Sequence, residues 1–85
     1  MDEMWQGVLY GYRLDGSPAC SEVKYVSPSK SWIRRHQRED ASLLCRAHGF
    51  RWAPEDEGLN IVLFHPDQDV VSFIFTIIEK EVIRD

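Results

Sequence analysis

Cysteine is scarce in this chain: Cys20 and Cys45 are the only two in 85 residues. A secreted protein of this size ordinarily carries a framework of several bridges, so the sequence predicts reduced thiols and a cytoplasmic setting. Long apolar runs are lacking too. The longest, Val70 to Ile78, is nine residues broken by Ser72 and Thr76, against the roughly 20 that span a bilayer. The acidic segment Met1–Trp5 has neither the basic nor the apolar region of a signal peptide, and no membrane association is expected. The five glycines are dispersed, which leaves no glycine-rich loop to cradle a phosphate. No repeat, low-complexity tract or linker interrupts the chain, so residues 1–85 read as a single domain.

What is present is apolar and aromatic in good measure. Hydrophobic residues make up 44 % of the chain, including three Trp, three Tyr and four Phe. A chain this short buries only roughly 60–65 % of its unfolded surface, so large rings help a thin core. Rings serve binding surfaces equally well.

The order of elements reads β-β-α-β-β. Trp5 to Arg13 is rich in β-formers, Asp15-Gly16-Ser17-Pro18 is a turn, and Glu22 to Val26 alternates as a second strand. Ser27-Pro28 has the form of an N-cap followed by proline at the first helical position, and Gly49 is the residue a left-handed C-cap wants. A helix is therefore expected from about Pro28 to His48. Ile33, Ala41, Leu44 and Ala47 form its apolar stripe, with Trp32 and Leu43 at the margin. His36 to Asp40 is polar all round, which leaves two shorter helices meeting near Glu39-Asp40 as an alternative. Phe50 to Gly58 reads as a loop or short edge strand, because Pro54 cannot donate to a ladder. Leu59 to Phe64 and Val70 to about Ile78 read as strands around the turn at His65 to Asp69. The last segment also fits a helix, but its β-branched and aromatic content favours strand. The expected fold is α+β: an antiparallel sheet of about four strands with one main helix on one face. Val71, Phe73, Phe75 and Ile77, with Leu59, Ile61 and Leu63, should face the helix, and Phe50 or Trp52 should clamp its end. The C-terminal strand is the expected sheet edge, where a second copy could add to give a homodimer.

Charge is segregated along the chain. Residues 1–27, 28–51 and 52–85 carry balances of −2, +4 and −6, for a net charge of −4. Lys30, Arg34 and Arg38 recur every four residues and stack on one side of the expected helix, with Arg35 beside them and Trp32 near enough to stack on a base or guanidinium. These cations suit carboxylates of a protein partner, or phosphates of a nucleic acid. The second candidate surface is acidic: Glu55, Asp56 and Glu57, with Asp67, Asp69, Glu79, Glu81 and Asp85. Gathered together, they would make a decoy for a basic cleft.

Other chemistries have thinner support. Cys45-x-x-His48, with Cys20 or His36, could supply metal ligands, but the spacing matches no zinc pattern, and no metal or cofactor is expected. A Cys45–His48 nucleophile lacks both an oxyanion turn and an orienting third group. His65, before Pro66, reads as an exposed turn residue.

Gly49-Phe50-Arg51-Trp52-Ala53-Pro54 resembles the helix–Gly–aromatic–x–Trp–x–Pro layout of small domains in plasmid- and phage-borne proteins. The chain has Gly58-Leu59 where those domains carry a second aromatic. The expected function is a non-enzymatic protein-binding module, an inhibitor or adaptor docking on a larger partner. Phage- or plasmid-type inhibitors of nucleic-acid-handling machinery, CRISPR effectors included, share this profile by analogy. The partner-binding candidates are Lys30, Trp32, Arg34, Arg35, Arg38, Glu55, Asp56 and Glu57. A nucleic-acid-binding domain using the basic helix face is the alternative, and a small cysteine-dependent enzyme the third reading.

Overall fold

A computed structural model describes residues 3–53 and 60–80. The chain runs β1 (Trp5–Tyr12), β2 (Pro18–Ser27), α1 (Lys30–His48), β3 (Arg51–Trp52), β4 (Ile61–Phe64) and β5 (Ser72–Glu79). The five strands form one antiparallel sheet in the order β2-β1-β5-β4-β3. The α+β class holds, with five strands in place of four, because Arg51 and Trp52 pair with Phe64 and Leu63. The C-terminal strand is no edge. β5 lies between β1 and β4, and the edges are β2 and the two-residue β3. Its run of β-branched and aromatic residues is what a strand flanked on both sides needs.

Local chemistry explains the boundaries. Between β1 and β2 the Asp15 carboxylate accepts from the Ser17 amide at 2.9 Å and its hydroxyl at 2.6 Å, a self-bonded Asx turn. β2 is bulged against β1, with register shifts after Gly7 and after Gly11. The helix starts two residues later than Ser27-Pro28 suggests. Ser29 is the N-cap, its hydroxyl accepting from the Trp32 amide at 3.2 Å, while the Ser27 hydroxyl accepts from the Ser29 amide at 3.0 Å. Both serines can cap, and the one whose oxygen meets the third amide onward wins. At the other end Gly49 takes the left-handed conformation, φ 76°, and its amide donates to the Cys45 carbonyl. The helix is continuous through Glu39-Asp40.

α1 lies on one face of the sheet, above Gly7. A Cβ at Gly7 would come within 2.5 Å of Ile33 Cγ2 and 3.1 Å of Gln37 Nε2, so the missing side chain is what lets the helix settle there. Gln37 is buried, and its Nε2 donates to the Thr76 carbonyl at 2.8 Å, tying the helix to β5. Polar sequence around residue 37 hid this inward position. Ala47 and Leu43, expected on or beside the stripe, are exposed. The core beneath the helix gathers Ala41, Phe50, Ile61, Leu63 and Phe75, with Leu9, Leu44, Cys45 and Phe73 against it. Phe50 clamps the helix end, edge-on to Phe73 at 5.2 Å and to His65 at 5.5 Å. His65 is accordingly half-buried, and its Nδ1 accepts from the Asp67 amide.

Register and alternation set the content of the other face. One row across the strands reads Ser21, Tyr10, Ile74, Val62. The next two read Val23, Val8, Thr76 and Val26, Gln6, Ile78. A fourth reads Tyr12, Ser72, Phe64, ending on Arg51 of β3. Among the described residues no helix covers these rows.

The close approach at Gly7 gives a direct test. Gly7→Ala should lower stability by about 1–3 kcal/mol, the cost of forcing a methyl group into a packed contact. Urea denaturation of the two proteins side by side measures it.

Candidate binding surface on the helix

Helical geometry divides the outward side of α1 into two flanks. At 100° per residue, Arg34, Arg35, Arg38 and Arg46 fall within a sector of about 120°, while Trp32, His36 and Asp40 fall in the adjoining sector, turned toward β2. The arginines line an open groove with Ser31, Ser42 and one acid, Glu39. Arg35, Arg38 and Arg46 are exposed and Arg34 is half-buried. Among the described residues Arg35, Arg38 and Arg46 form no ion pair. Nothing inside the described part of the molecule uses these three charges.

The other two helical candidates are held elsewhere. The Lys30 ammonium lies 4.0 Å from the centroid of the Trp5 ring, a cation–π contact near the base of the helix. Trp32 belongs to a cluster of rings, 4.1 Å from His36 and edge-on to Tyr25 at 5.8 Å, while Tyr25 and His36 lie 5.2 Å apart. Trp32 remains 41 % exposed at the outer side of that cluster. The structure thus brings Arg34, Arg35 and Arg38 together and sets Lys30 and Trp32 apart from them. Glu55, Asp56 and Glu57 lie outside the described residues. Glu81 and Asp85 lie outside them too, and of the remaining acids of that set Asp67 and Asp69 sit in the β4–β5 turn and Glu79 at the far end of β5.

Sequence reasoning omitted Arg46 from the site, although it continues the ladder from Arg38 through Ser42 by steps of four. It also missed the anchor on the aromatic flank. Tyr25 on β2 donates its hydroxyl to Asp40 Oδ2 at 2.6 Å, and Lys24 Nζ lies 3.9 Å from the same oxygen. That hydrogen bond, with burial and the negative charge of Asp40 adding to it, pushes the Tyr25 phenol up to about 12. His36 Nδ1 sits 3.8 Å from Glu39 Oε2. The Tyr25 and Lys24 contacts to Asp40 pin the helix to β2 and hold the arginine flank outward.

Cys45 packs against the core, and burial pushes its thiol upward. An activated nucleophile needs the opposite shift. Among the described residues no three His, Cys, Asp or Glu side chains gather to hold a metal ion, and no helix is long and apolar enough to cross a membrane. No protein-family model, curated protein or solved structure matches this chain.

The Tyr25–Asp40 bond makes a pH prediction. A phenol whose folded value lies above its ordinary value of 10.0 contributes stability that is whole below that value and is lost as pH rises through about 12. Tyr25→Phe should therefore cost about 1 kcal/mol at neutral pH. The difference from wild type should shrink in strong alkali. Thermal melts of both proteins across that range, with phenolate absorbance followed alongside, read the effect.

Proposed function

We propose that this chain is a protein-binding module without catalytic activity of its own, an inhibitor or adaptor that docks its arginine groove on an acidic surface of a larger protein. One observation carries the reading: Arg35, Arg38 and Arg46 stand exposed on a rigid helix with no ion pair among the described residues. Guanidinium groups presented this way are ready to form bidentate bonds with carboxylates. Because they are held on a helix rather than a loop, little backbone freedom is lost on docking, and the cost is the ordering of the guanidinium arms, about 0.5–1.5 kcal/mol each. The two free cysteines suit a reducing, cytoplasmic setting.

The same groove could meet phosphates, which keeps nucleic acid as the alternative partner. Two features favour protein. Trp32 is turned toward β2 and packs with Tyr25 and His36, so its ring is already engaged within the fold. The net charge of −4 repels a polyanion at long range.

Affinity purification with this chain as bait tests the proposal. Wild type should retain a protein partner in stoichiometric amount. The variant Arg35→Glu/Arg38→Glu/Arg46→Glu should lose it by more than roughly tenfold, equivalent to about 1.4 kcal/mol. Trp32→Ala should keep it. Equal retention by the triple variant would remove the groove from the interface. Retardation of a DNA or RNA probe at low salt, weakening steeply as salt is added, would establish the alternative instead.

A further inference from the structure

The sheet face away from the helix is uncharged in every row of β2, β1, β5 and β4. In a chain with 28 % charged residues this is a marked exclusion. Arg51 on the edge strand and Lys80 just past β5 mark its margin. Four of the large apolar side chains that the fold leaves exposed lie here: Val23 at 49 %, Phe64 at 45 %, Val26 at 43 % and Ile78 at 42 %. Val23, Val26 and Ile78 flank Val8, which is buried between Val23 and Thr76, and Phe64 stands on β4 at the other side of the face. A neutral, half-apolar field with charge confined to its margin resembles the anatomy of a protein interface.

We infer that this face binds a second copy of the chain, sheet against sheet, to give a symmetric dimer. Charge selects that occupant. Each copy is acidic overall, with a net charge of −4, so most ways of bringing two together set like charges opposite each other. This face carries none in its centre, and so meets its own image without repulsion or the desolvation of ions. Its neutrality equally offers nothing to a charged partner, whereas the arginine groove does. Size agrees as well. Thirteen sheet positions, each about 6.6 Å by 4.8 Å, project to about 400 Å². Seven of the thirteen are apolar, and a face of this size is comparable to the largest patch of a typical monomer, which is often functional. Two copies cover about 800 Å² in projection and more along the corrugated side-chain surface, within the weak, transient class below about 1,200 Å². The dimer is accordingly weak and forms in the micromolar range. The two sheets stack about 10 Å apart as the halves of a sandwich, leaving both helices and both arginine grooves on the outside.

Sedimentation velocity from about 1 to about 200 µM, a span that brackets weak association, tests this. Wild type should pass from monomer to dimer mass across that range. Val23→Glu/Ile78→Glu should stay monomeric, with unchanged circular dichroism, because both side chains are already half exposed. Phe64→Lys, on the other side of the face, should do the same and serves if the double variant fails to fold. A wild type that remains monomeric throughout overturns the inference, as does a dimer that survives folded variants. The Arg35→Glu/Arg38→Glu/Arg46→Glu variant should dimerise as wild type does, so dimerisation and partner docking succeed or fail separately.

Discussion

The absence of one side chain governs this structure. At Gly7 the helix comes so close to the central strands that a methyl group would strike Ile33. That approach brings Gln37 within reach of the Thr76 carbonyl and seats Ala41 over the cluster built on Ile61, Leu63 and Phe75. It also fixes the roll of the helix about its axis. With Ile33, Gln37 and Ala41 turned inward, Trp32, His36 and Asp40 must meet β2, and Arg35, Arg38 and Arg46 must point away. The outward arginine face follows from a glycine on a strand.

The two sides of the molecule divide its chemistry. The helical side is charged and carries the groove. The reverse of the sheet is neutral and half apolar. One side offers specificity through geometry and charge, the other contact area through the hydrophobic effect. Tyr25 and Asp40 are the bolt between helix and sheet on the β2 side, and Lys24 reinforces them. Lys30, drawn onto Trp5, acts structurally in the same region.

Much of the architecture was legible because local signals agreed with it. Gly49 announced the end of the helix, and the alternation of Phe73, Phe75 and Ile77 gave both the strand and its inward face. Arg34, Arg35 and Arg38 could be placed together from helical spacing alone. The failures share a cause: each depended on what another element does. Gln37 looks like a solvent residue until Gly7 leaves room for it. β5 looked like an edge because it comes last, whereas β1 and β4 enclose it. β3 is two residues long and makes no period to detect. Trp32 sits near the arginines in sequence, but the ring cluster with Tyr25 and His36 forms only once β2 is beneath the helix. The acidic segment Glu55–Glu57 lies outside the described residues, and its part in binding stays an expectation.

The bulges in β2 have a bearing on what happens when many copies are crowded together. A ten-residue outer strand would ordinarily be a template for further strands, and so for fibrous growth. Here the strand begins with Pro18, is offset twice against its neighbour and carries Lys24 at one offset. Among the described residues the opposite margin is a strand of two residues. Lateral accretion is therefore disfavoured at the β2 margin, and the face-to-face pairing proposed above would consume the reverse of the sheet without polymerising.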